Sequence, residues 1–139
     1  MLTAFLDTNV FLYAIGAQHA LKAASQRVLE RVGDGELEAV SNTEVLQEIL
    51  YVLSRRGARE TGIALARHTV ELLGGLFPVT EADISTACDL MERYSALPTR
   101  DAIHAATMLN NGVSDIITSD DHFDAVRGIR RLPLTGFAP

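Results

Sequence analysis

Three aspartates and a pair of glutamates stand where carboxylates can do chemistry. Asp7 directly follows an apolar run, in Phe5-Leu6-Asp7-Thr8-Asn9-Val10, and Asp120 follows another, in Ile116-Ile117-Thr118-Ser119-Asp120-Asp121. An acid at the end of a buried parallel strand sits at the edge where α/β folds bind ligands. Asp and Thr also favour helix N-caps, and for Asp7 alone the two roles weigh equally. If the two strands are neighbours, the carboxylates lie roughly 5 Å apart. Like charges that close raise each other's pKa unless a cation neutralises them, and oxygen-rich clusters favour Mg²⁺ or Mn²⁺.

Two further segments add acids. In Leu97-Pro98-Thr99-Arg100-Asp101-Ala102-Ile103-His104, Thr99 is the expected N-cap and Asp101 falls in the first helical turn. Compensation of the helix dipole accounts for such an acid. The same helix leads into the strand before Asp120, however, so its N-terminus belongs to the same sheet edge. Ser41-Asn42-Thr43-Glu44-Val45-Leu46-Gln47-Glu48 offers two glutamates. Ser41 and Glu44 have capping-box spacing. Glu48 lies one turn deeper, beside Leu46, Ile49 and Leu50, and spacing alone does not say whether it faces solvent or turns inward.

Other chemistries lack support. His19, His68, His104 and His122 show no metal-binding spacing and read as surface or core residues; His104 can approach the acids from the Asp101 helix, but a satisfied core position explains it. There is no nucleophile elbow, P-loop or GxGxxG. Cys88 is the only cysteine, which excludes a disulfide framework and a cysteine-rich zinc site; its apolar neighbours predict a buried structural thiol. A net charge of −6 argues against non-specific duplex binding. Eleven of the twelve cations are arginines, the residue better shaped to fork onto phosphate. Arg55, Arg56 and Arg59 form one cluster and Arg127, Arg130 and Arg131 another, most of them expected to be solvated.

The elements that must position the acids alternate. Strands are expected over residues 2–6, 36–40, near 76–79, 115–118 and 129–132. Helices are expected over 10–15, 20–32, 42–55, 60–73, 81–94 and 100–110. In the 81–94 helix, Ile84, Ala87, Cys88, Met91 and Tyr94 form one apolar stripe. Alternation of this kind predicts a three-layer α/β/α fold around a central parallel sheet. With 139 residues and 47% hydrophobic composition, the chain suits a single domain spanning 1–139. No apolar run is long enough for a bilayer. The segment opening Met1-Leu2-Thr3 lacks the basic flank and cleavage site of a secretion signal, so a cytoplasmic location is expected.

Taken together, Asp7-Thr8-Asn9-Val10, Val45-Leu46-Gln47-Glu48, Asp101-Ala102-Ile103-His104-Ala105-Ala106 and Thr118-Ser119-Asp120-Asp121-His122-Phe123 resemble a PIN domain, most closely the VapC toxins of toxin–antitoxin pairs. The resemblance spans nearly the whole chain, and its four segments occur in the family's order and spacing. It selects Glu48 over Glu44 and implies a catalytic quartet of Asp7, Glu48, Asp101 and Asp120. Asn9, Thr118 and Asp121 are implied as supporting residues, with Asp124 at the rim. Asp7 and Asp101 are implied as direct metal ligands, and Glu48 and Asp120 as ligands directly or through water. The activity implied is Mg²⁺- or Mn²⁺-dependent endoribonuclease action as the toxin of a type II system, with a VapB-like antitoxin, a homodimeric state, an RNA substrate and no membrane. A PIN nuclease of RNA processing outside such systems is the alternative. A phosphoacceptor receiver domain is disfavoured because it needs a late lysine and the only lysine here is Lys22.

Overall fold

The structure is a computed structural model and describes residues 2–137. Its elements run β1 (Thr3–Leu6), α1 (Thr8–Ile15), α2 (Lys22–Gly33), β2 (Glu38–Asn42), α3 (Thr43–Arg55), α4 (Arg59–Leu72), β3 (Gly75–Phe77), α5 (Glu81–Arg93), α6 (Thr99–Asn110), β4 (Asp115–Thr118) and β5 (Arg130–Pro133), with 3₁₀ turns at Asp121–Ala125 and Leu134–Phe137. The five strands form one parallel sheet in the order β3-β2-β1-β4-β5. Helices pack on it in the three-layer α/β/α arrangement expected of alternating elements.

The near-continuous apolar sequence of β1 has a direct cause. Paired on both edges and covered on both faces, Ala4, Phe5 and Leu6 are completely buried. From β1 the chain builds outward to β2 and β3, then returns to the other side for β4 and β5. The order therefore reverses between β1 and β4, and the crevice at such a switch point is where open α/β sheets bind ligands. Asp7 directly follows β1, and Thr118 ends β4.

The helix pair α3–α4 turns at Gly57, whose φ of +75° suits a residue without Cβ. At Gly62, an added Cβ would come within 3.1 Å of Leu53 Cβ, so glycine lets the two helices approach.

Four local expectations are corrected. Ser41 and Glu44 form no capping box: Ser41 belongs to β2 and donates to Leu6 O, while the Asn42 side chain caps α3 by accepting from Val45 N at 3.0 Å. The capping box lies instead at Thr80–Asp83, ahead of α5. Thr99 is the first helical residue of α6 rather than its cap; Pro98 precedes it without a side-chain cap. Finally, α5 buries a narrow strip containing Asp83 and Ala87, so Ile84 and Met91 are exposed and Cys88 is an exposed thiol rather than a buried one. An outer helix that covers its neighbour with small residues leaves its larger apolar groups at the surface.

Candidate active site

At the carboxyl edge of β1 and β4 a cavity of about 520 Å³ opens to solvent, and Asp7, Glu48, Asp101 and Asp120 all line it. They arrive from four places: the end of β1, the second turn of α3, the first turn of α6 and the segment after β4.

Asp7 caps α1 and also lines the cavity. Its Oδ1 accepts from Thr8 N at 2.7 Å, capping α1, while its Oδ2 accepts from the Thr118 hydroxyl at 2.7 Å. That hydroxyl also accepts from Asp120 N at 3.0 Å and from Asn9 Nδ2 at 3.2 Å, so one oxygen ties β4 to both acids. Asn9 Nδ2 further donates to Ser119 Oγ at 2.9 Å. Asn9 and Thr118 thus lie beside the acids. Asp121 does not line this cavity; it lines a separate cleft on the other side of His122, with Arg93 and Tyr94. Asp124 is engaged by Arg131 in a two-pronged pair at 2.7 and 2.8 Å. Glu44 is half-buried and does not line the cavity.

Two histidines join the acids. His104 is completely buried and its Nε2 lies 2.8 Å from Glu48 Oε1 and 3.7 Å from Asp7 Oδ1. Asn42 settles its tautomer. Because Asn42 Oδ1 accepts from Val45 N, its Nδ2 faces the His104 Nδ1 at 3.1 Å and Thr107 Oγ1 at 3.1 Å. Nδ1 is therefore an acceptor, and the ring proton on Nε2 is donated to Glu48. His122 stands at the mouth, its Nδ1 2.8 Å from Asp101 Oδ2 and 2.7 Å from Asp120 Oδ1. The sequence brings His104 toward the acids on the Asp101 helix but favours a core role, and it gives no signal for His122; both pairings depend on partners far along the chain. Two arginines also line the cavity, Arg56 and Arg100. Arg100 lies 3.8 Å from Glu48 Oε2 and over the Tyr51 ring.

Crowding perturbs the acids. Burial pushes the Asp7 carboxyl up, against its hydrogen bonds and the His104 ring. Burial likewise pushes Asp101 up to about 6, with Asp7 and Asp120 adding like-charge repulsion and His122 opposing it. On His104, burial favours the neutral ring, but the bond to Glu48 and the charges of Asp7, Glu48 and Asp101 together raise its pKa. The bond His122 donates to Asp101 raises that of His122.

These features suit a divalent cation. Oxygen donors dominate, the carboxyls resist ionising together, and Asp101, Asp120 and His122 each offer a ligand atom within 4.8 Å of the others. Thr8 Oγ1 and Asn9 Oδ1 are buried at the cavity wall without a hydrogen-bond partner among the described residues.

Comparison with known proteins bears on the family and the fold. Residues 4–129 match the family model described as PIN domain. Ribonuclease VapC13 of Mycobacterium tuberculosis is 34% identical over 129 residues, covering 91% of this chain and 97% of its own length. Ribonuclease VapC23 of the same species is 34% identical over 119 residues, covering 84% and 91%. Among solved structures, M. tuberculosis VapC20, described as a sarcin-ricin loop cleaving toxin, superposes with a TM-score of 0.73 at 18% identity, covering 91% of this chain and 98% of that one. VapBC2 of Rickettsia felis, solved with a DNA fragment from its promoter, superposes with a TM-score of 0.73 at 15% identity, covering 95% and 98%.

Proposed function

The chain belongs to the PIN-domain family, and on that premise we propose that it is a metal-dependent endoribonuclease, the toxin of a VapBC-type toxin–antitoxin pair. One observation carries the site assignment: acids from four separate elements line a single cavity at the sheet's switch point. Asp7 and Asp101 hold the cation, Mg²⁺ or Mn²⁺, and Glu48 and Asp120 bind it directly or through water. A cation held there supplies Lewis acidity toward the phosphodiester and lowers the pKa of nearby water.

The chain's own residues set up that chemistry. Thr118 and Thr8 N fix the two oxygens of Asp7. His104 donates to Glu48 Oε1 and leaves Oε2 facing Arg100. Arg56 and Arg100, at the cavity wall, suit the phosphates that flank the scissile bond. The substrate is single-stranded or loop RNA, and the chain acts as a single domain, as a homodimer in the cytoplasm, silenced by a VapB-like antitoxin that offers positive charge to the acidic cavity. No helix of the described residues is long and apolar enough to cross a membrane.

The test is RNA cleavage by antitoxin-free protein with Mg²⁺ or Mn²⁺, with and without chelator. Asp7→Asn is expected to lower the rate on the order of 10³-fold while circular dichroism stays unchanged. No cleavage by the intact protein sinks the ribonuclease assignment; cleavage that survives Asp7→Asn sinks the site.

A further inference from the structure

A second cavity, of about 340 Å³, adjoins the first and shares Asn9, Leu12 and Arg56 with it. Its floor follows α1. Asn9, Leu12, Tyr13 and Gly16 recur at three- and four-residue spacing and so share one face of that helix. Tyr13 lies six residues beyond Asp7, roughly 9 Å along the axis. A strand whose phosphate sits at the acids therefore meets the second cavity within a neighbouring nucleotide.

What lines that cavity suits a flat, π-faced ligand. The Tyr13 and His19 rings stack on each other, 4.3 Å between centroids and 9° from parallel. The stack is held before any ligand arrives: Tyr13 packs on the hydrophobic core, and His19 Nδ1 accepts from Leu21 N at 3.0 Å. Rings fixed in advance lose little entropy on binding. His19 is exposed, so a ring face is free to extend the stack. Arg56, exposed where the two cavities meet, makes no ion pair among the described residues. An aromatic stack beside a free guanidinium is the complement of a base and its phosphate.

We propose that this second cavity is a nucleobase subsite: the Tyr13–His19 stack receives the base flanking the scissile phosphate of single-stranded RNA, and Arg56 holds the phosphate between the two cavities. The inference rests on the ribonuclease assignment and adds to it where along the strand the enzyme grips. Stacking accepts every base, so the subsite orders the strand without strict sequence preference.

The probe is a set of four-nucleotide single-stranded RNAs, each carrying 2-aminopurine at a different position, titrated into the intact protein with Ca²⁺. Fluorescence is expected to be quenched at one position. His19→Ala should abolish the quench and raise Kd about tenfold, and His19→Phe should restore both. Arg56→Gln should weaken binding and reduce its salt slope by about one. A quench unchanged in His19→Ala, or absent at every position, overturns the subsite. Hydrolysis by the same protein with Mn²⁺ is scored separately. If it fails while the His19-dependent quench remains, the subsite stands and the ribonuclease assignment falls; hydrolysis without that quench gives the reverse.

Discussion

The inner and outer halves of the acidic cavity use the same two residue types under opposite conditions. Inside, Glu48 and Asp7 meet His104, which has no exposed surface and is locked through Asn42 to the backbone of α3. Outside, Asp101 and Asp120 meet His122, whose side chain is 44% exposed. The inner histidine is part of the frame: its protons, partners and orientation are settled by folding. The outer one is a placeholder, a ring sitting between two carboxylates that a metal would claim. Two histidine–carboxylate pairs at similar distances thus do different work, and burial decides which.

The sharpest way to break that contrast is to delete each ring. His104→Ala strips Glu48 and Asn42 of a buried partner and leaves a hole, at an expected cost of about 3 kcal/mol in urea unfolding. His122→Ala is expected to cost under about 0.5 kcal/mol. Equal losses would mean that both rings are structural.

Next comes pH. The Asp7 and Asp101 carboxyls hold protons more tightly in the fold than in the unfolded chain. The metal-free fold therefore binds the extra protons, and its stability falls as pH rises through about 6. A decrease on the order of 1 kcal/mol between pH 5 and pH 8 is expected, reversed at pH 8 by Mn²⁺. Stability that instead rises over that window, with metal absent, would show the inner acids to be paired more fully than the geometry allows.

Smaller is the effect of His122 on metal binding. If the protonated ring competes for Asp101 and Asp120, calorimetry of His122→Ala should show several-fold tighter Mn²⁺ binding at pH 6 and no difference at pH 9. Weaker binding at both pH values would make His122 a ligand. The smallest expected effect belongs to Asp121→Asn, which should leave RNA cleavage within about twofold of the parent because Asp121 faces the neighbouring cleft; a large loss would move the outer boundary of the site.

Much of this was readable from residue order. Strand and helix boundaries fell within about two residues because the buried runs are short and sharply punctuated. Asp7, Asp101 and Asp120 stood out because each follows a strand or opens a helix, positions that topology sends to one edge; only the family resemblance told Glu48 from Glu44. The pairings of the histidines did not, because His104 meets Glu48 across 56 positions and His122 meets Asp101 across 21. Local pattern carries no record of such pairings. Asn42 was hidden for the same reason: Ser41 has the commoner cap spacing, yet its hydroxyl is spent on Leu6 O. The α5 stripe misled because helical periodicity marks one face without saying how much of it is covered.

The adjacency of β1 and β4 has a consequence for the chain's manufacture. Asp7 is made more than a hundred residues before the strand that flanks it and the hydroxyl that grips it, at positions 115–118. No nascent chain that stops short of Asp120 can assemble the full set of acids, whatever part of it has already folded. For the ribonuclease proposed above, this order of appearance withholds the complete cavity until synthesis has passed β4.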